Sequence, residues 1–222
     1  MENLITVLEL SRSEADYFRA LVGFAHADSL QQKNDEYIKM HRMLTLRQSG
    51  VLDAARFEYL SNWWLPALRE VATFKDWKGD YALMGDALTP PLTQAQTRKG
   101  IELMLKLGIL HQEGTLFMQT EQHIETGHDL HSLAIANYHR SILTLAHDAV
   151  ENQPMEEREF GAITFGIQVS TFPRLKQKIR ELQKELLQEA CSESGAPEIV
   201  YQFGVQLFQL TRTPKISTRK TK

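Results

Sequence analysis

The chain has 222 residues, 42% of them hydrophobic, and a formal net charge of −3, so it is long enough to bury a core as one large or two small domains. No stretch reaches the roughly 18 apolar residues of a membrane span, and MENLITVLEL lacks the basic start and cleavage pattern of a secretory signal, which predicts a cytoplasmic protein with no membrane partner. The mild acidity excludes a whole-surface attraction to phosphate but allows a local basic patch. The single cysteine, Cys191, excludes an internal disulfide and a thiolate metal cage; with no histidine close in sequence to activate it, it reads as structural or incidental.

Taken in chain order, Ser11 or Ser13 with a following glutamate opens a first helix, in which Ala15, Phe18, Leu21, Val22 and Ala25 recur at helical spacing. A second helical stretch runs from about Leu30 through Arg47, with Tyr37, Ile38, Met40, Met43 and Leu44 apolar and Gly50 at its end. Asp53 is placed to cap a helix through FEYLSNWWLPALREVA, whose Phe57, Leu60, Trp64, Leu65, Leu68 and Val71 form the densest aromatic stripe of the chain, a core pattern. Pro66 inside it predicts a kink or break, because proline removes a backbone donor and clashes with the preceding turn. Asp80 then caps a short helix, YALMGDAL, joined by TPPLT to the next.

The segment from Thr89 to Thr120 carries the strongest functional signal. Thr93 with Gln96 three residues on is an N-terminal capping pattern, Pro90 and Pro91 bar an earlier start, and Gly108 closes the helix. Ile101, Met104 and Leu105 make an apolar stripe that leaves Gln94, Arg98, Lys99 and Glu102 toward solvent or a ligand. Short strands at Ile109 to His111 and Leu116 to Thr120 follow, around a turn of Gln112, Glu113 and Gly114. A polar helix leading into a hairpin is the reading half of a winged helix, and such a face fits a DNA major groove. Helix–hairpin units of this kind also serve as protein-docking modules.

Beyond a connector from Glu121 to Gly127, HDLHSLAIANYHRSILTLAHDAV reads as a long helix burying Leu130, Leu133, Ala134, Tyr138, Ile142, Leu145 and Val150, stopped by Pro154. FGAITFGIQV and IVYQFGVQLFQLT then read as strands flanking the amphipathic helix TFPRLKQKIRELQKELLQEA, a β-α-β unit. Two strands alone make a marginal sheet, so this unit is expected to pack on the helical part or to pair with a second copy. The predicted fold class is therefore α+β and mostly helical. A winged-helix unit (about 53–120) is embedded in a helical region (1–125), a long helix and β-α-β unit follow (126–211), and a mobile basic tail (212–222) carries Arg212 and Lys215.

Eight histidines invite a metal hypothesis. His128 and His131 are helical neighbours, but His139 and His147 step further round the helix, and His123 lies outside it, so the set does not converge and no metal or cofactor is expected. His139 in ANYHRS is placed to orient a neighbour across the core. No phosphate loop, nucleophile elbow or cysteine–histidine pairing is present, and the acids of MEEREF read as a solvated run, so the chain is not expected to be an enzyme.

The segments EADYFRALVGFAHA, FEYLSNWWLPALREV, LTPPLTQAQTRKGIELMLKLGIL, ANYHRSIL and VYQFGVQLFQLT together resemble an uncharacterised bacterial family, a domain of unknown function known as an expanded set of paralogues in Fibrobacter and Bdellovibrio. The resemblance implies a winged-helix transcriptional regulator rather than an enzyme, and supplies no catalytic residues. Members commonly carry a repressor-like helix-turn-helix ahead of this region; the chain begins about where that module would end, leaving base reading to the winged helix. The sequence thus leads to a DNA-binding regulator. In it Thr93, Gln94, Gln96, Arg98, Lys99, Glu102 and Gln112 face duplex DNA, Arg212 and Lys215 add non-specific affinity, and the C-terminal unit forms a homodimer or senses a protein partner. The alternatives are a protein-interaction adaptor of the same shape and a small-ligand sensor.

Overall fold

A computed structural model describes residues 2–44, 48–120, 128–192 and 195–212. It divides into two compact units: residues 1–161 with 196–200, and residues 162–195 with the chain from Tyr201 onward. Among the described residues the architecture is mostly helical, with one two-stranded antiparallel hairpin.

The first unit begins with α1 (Glu2–Val7) and α2 (Arg12–Ala25), the latter started by the expected box in which Ser11 and Glu14 bond each other's backbone. Its buried face is Ala15, Ala20 and Phe24, while Leu21 and Ala25 are exposed. That rotation away from the expected stripe follows from its partner: α2 packs on α3 (Leu30–Leu44), where Tyr37 and Met40 are buried against Ala20 and Phe24. Next, α4 (Gln48–Ser61) runs through Gly50 and Asp53 instead of being bounded by them. Asp53 is accommodated inside it because Arg56, one turn on, lies 3.4 Å away.

The break expected at Pro66 falls just ahead of it. α5 (Trp64–Ala72) is a separate helix with Pro66 in its first turn, where a missing N–H costs nothing. Leu65, Leu68 and Val71 are fully buried, so this stripe is core. α6 (Tyr81–Asp86) is capped by Asp80, whose side chain accepts from the Leu83 N–H at 3.0 Å. Then come α7 (Gln94–Lys106), β1 (Leu110–Glu113) and β2 (Leu116–Gln119). The register pairs Leu110 with Gln119 and Glu113 with Leu116. The turn is thus Gly114–Thr115, and Gln112 and Glu113 belong to the strand; Gly114, at φ 62°, supplies the left-handed position that a tight hairpin turn needs.

The long helix α8 (His128–Asn152) packs on α4 and α3, burying Leu133, Ala134 and Ile142. Asn34 and Asn137 exchange reciprocal amide hydrogen bonds of 2.9 and 2.8 Å, which fix the register of α3 against α8. Val150 and His139 are exposed, so His139 orients nothing across the core. Among the described residues no helix is long and apolar enough to cross a membrane, and none group three or more His, Cys, Asp or Glu as metal ligands.

The second unit holds α9 (Phe172–Ala190), with Pro173 in its first turn and exposed Cys191 at its end. The expected β-α-β unit is not formed. Residues 161–168 and 201–210 run without helix, turn or bend, yet no ladder joins them among the described residues. Alternation of apolar and polar residues makes a segment fit for a sheet; it does not supply the neighbouring edge.

Candidate nucleic-acid interface

The position of α7 is set by two glycines. At Gly85 in α6 a Cβ would sit 2.5 Å from the Leu92 carbonyl oxygen and from the Thr97 hydroxyl, so only glycine lets the α6–α7 turn fold back this closely. The Leu92 N–H then donates to the Gly85 carbonyl at 3.1 Å. At Gly100 a Cβ would meet Trp64 at 2.6 Å and Leu68 at 2.8 Å, so glycine brings α7 down onto α5.

Both ends of α7 are closed by local chemistry. Gln96 N–H donates to Thr93 Oγ1 at 3.2 Å while Thr93 N–H donates to Gln96 Oε1 at 3.1 Å. At the far end Gly108, at φ 69°, lets its N–H reach the Leu105 carbonyl and the Ile109 N–H reach that of Met104, each at 3.0 Å. Ile101, Met104 and Thr97 are fully buried, and Thr97 satisfies its hydroxyl on the Thr93 carbonyl at 3.1 Å. Leu105, expected in that stripe, is only half-buried.

The opposite face is open. Gln94, Arg98, Lys99 and Glu102 are exposed and, with Ala95, line one shallow depression of about 360 Å³. Arg98 lies over the Tyr81 ring at 5.3 Å, a cation–π contact that holds the guanidinium beside α6. Lys99 Nζ pairs with Glu58 Oε1 of α4 at 2.6 Å. A cleft of about 510 Å³ adjoins this face, with Tyr37, Phe57 and Ser61 among its walls and Lys99 on its rim, inside the first unit.

Other expected contacts are placed differently. Thr93 and Gln96 are exposed, but their oxygens are engaged in closing the helix start, which leaves less of either side chain to read a base. Gln112 stands on β1 with its amide donating to the Gly114 carbonyl at 2.9 Å, which braces the hairpin turn. Arg212 is exposed in the second unit, and Lys215 lies outside the described residues.

The hairpin itself carries no lysine or arginine on either strand. Positive charge comes instead from the loop between α5 and α6, where Lys75 and Lys78 are exposed. Thr115 Oγ1 at the hairpin tip donates to Asp76 Oδ2 at 3.0 Å, which brings that loop beside the turn. Nothing in the local pattern of FKDWKGD marks these two lysines as part of the site; the Thr115–Asp76 bond alone places them beside the hairpin.

Residues 25–210 match the model of a family described as a domain of unknown function, DUF4423. The chain belongs to the DUF4423 family. No curated protein and no solved structure matches it. The DUF4423 match takes in α7, the hairpin and both extended C-terminal segments.

Proposed function

We propose that α5, α6, α7 and the hairpin form a winged helix that binds double-stranded DNA, and that the protein is a cytoplasmic transcriptional regulator. The observation that carries this reading is the two-sidedness of α7: Thr97, Ile101 and Met104 are fully buried, while Gln94, Arg98, Lys99 and Glu102 stay exposed beside a hairpin. In this reading α7 enters the major groove, Arg98 and Lys99 meet phosphates or guanine edges, and Gln94 reads adenine. Lys75 and Lys78 contact the backbone beside the hairpin tip. Charge reversal at both Arg98 and Lys99 is expected to abolish retardation of duplex DNA with the circular dichroism unchanged. Undiminished retardation removes the proposal.

One observation favours a protein partner instead: Leu116 and Met118 are 48% and 39% exposed on a hairpin that carries no lysine or arginine. Retention on a DNA or heparin column separates the two readings. Phosphate contacts make it fall steeply with salt, whereas a docking module is indifferent.

A further inference from the structure

The second unit lacks a core of its own. Among its described residues none is buried, and thirteen large apolar side chains are at least 38% exposed. A domain requires two packed layers around an apolar interior, so what completes this one comes from elsewhere.

The pattern specifies the missing layer. In 162–169 the odd positions are Ile163, Phe165, Ile167 and Val169, and the even ones are Ala162, Thr164, Gly166 and Gln168. The same two-faced alternation recurs at Tyr201, Phe203 and Val205 against Gln202, Gly204 and Gln206. Neither stretch holds a charge: from Phe160 to Pro173 and from Ile199 to Thr211 there is no acidic or basic residue. Edge strands left open to solvent are normally guarded by charges, and here Arg158, Glu159, Glu198 and Arg212 stand only at the ends. On α9, Phe172, Leu175, Ile179, Leu182 and Leu186 fall at alternating steps of three and four, an apolar seam in which Phe172, Leu182 and Leu186 are exposed and Leu175 and Ile179 partly buried.

We propose that the second unit is half of a dimerisation module, in which residues 161–168 and 201–210 of two copies pair into one four-stranded sheet whose apolar face both α9 seams cover. A second copy is the occupant the observations favour for three reasons. Two strands make a marginal sheet, whereas four with helical cover are self-sufficient. A two-fold arrangement places one uncharged edge of each copy against the identical edge of the other, so that neither of those two edges stays open. Ten of these exposed apolar side chains lie on the two alternating faces or the α9 seam; at roughly 80 Å² each, about half of what a large side chain buries, they amount to about 800 Å² per chain, the share each partner brings to a standard interface. This inference does not depend on the DNA reading.

The test uses the full chain. Light scattering at micromolar concentration is expected to give the mass of two chains, and hydrogen exchange to show slow amides at 163–167 and 201–209 that become fast on dilution. Phe203→Asp is expected to weaken association at least a hundredfold, while Gln206→Lys, on the polar face, leaves it nearly unchanged. A chain that stays monomeric at high concentration with these amides protected means the segments are covered within one copy, which overturns the proposal. A dimer in which they exchange freely, or one that survives Phe203→Asp, overturns it equally.

Discussion

Lys99 of α7 and Glu58 of α4 are joined by a 2.6 Å ion pair at the protein surface, with side chains 65% and 33% exposed. Pairs of this kind contribute about 0.2–1 kcal/mol, so Lys99 can exchange Glu58 for a phosphate at small cost. Glu58→Gln is therefore expected to tighten binding to a random-sequence duplex about two- to fivefold. Lys99→Met is expected to lower the slope of log affinity against log salt by about one. If neither variant changes DNA affinity, Lys99 is a structural surface lysine and not a phosphate contact.

The two glycines that seat α7 differ in what they meet. An alanine at a helix interior usually stabilises by about 1 kcal/mol relative to glycine. At Gly100 the new methyl would strike Trp64 and Leu68 side chains at 2.6 and 2.8 Å, which can yield partly, so a net loss of about 1–2 kcal/mol is expected. At Gly85 it strikes the Leu92 carbonyl oxygen at 2.5 Å, which cannot move without opening the turn. Denaturant unfolding should therefore show Gly85→Ala more destabilised than Gly100→Ala, and DNA retention falling with it. The reverse order would show that the turn, and not α5, is the soft side of α7.

What the sequence made legible was local. The boxes at Ser11 and Thr93, the Asp80 cap and the stop at Gly108 were readable because each is settled by residues within one turn. Asp53 misled because the same side chain that caps a helix can sit inside one when Arg56 is a turn away. The buried face of α2 is not settled within its own sequence, because Tyr37 and Met40, from a different helix, decide which side is covered. The C-terminal strands differ for a related reason: period-two alternation marks Phe165 and Phe203 as fit for a sheet, but among the described residues no neighbouring edge joins either segment. Within the candidate site, Gln94, Arg98, Lys99 and Glu102 were legible from one helix period. Lys75 and Lys78 were not, since only the tertiary Thr115–Asp76 bond brings their loop to the hairpin.

The hairpin is held by two side-chain tethers, Gln119 Nε2 to Glu70 Oε2 at 2.7 Å and Thr115 Oγ1 to Asp76 Oδ2 at 3.0 Å. Both are exposed, so removing them costs about 1 kcal/mol each at most. Their larger effect is expected on motion. Thr115→Ala with Gln119→Ala should speed exchange of the β1–β2 amides with little change in the unfolding midpoint, because Phe117 still anchors the strand in the core at 5% exposure. Unchanged exchange would place the whole restraint on Phe117.

Alkaline stability reports on the buried and half-buried tyrosines of the first unit. Burial pushes the Tyr37 phenol up to about 12, with the Asp53 carboxylate adding to the shift; burial also raises Tyr59 and Tyr138. An unfolded phenol ionises near 10, so the folded state binds this proton more tightly. Its contribution is full below about pH 10, declines as pH rises through about 12, and amounts to about 2–3 kcal/mol for Tyr37. Denaturation midpoints should therefore fall between pH 10 and 12, in step with tyrosinate absorbance. Tyr37→Phe should flatten part of that fall, Tyr59 and Tyr138 supplying the remainder. A slope identical to the parent's would mean that Tyr37 ionises in the folded state as easily as in the unfolded chain.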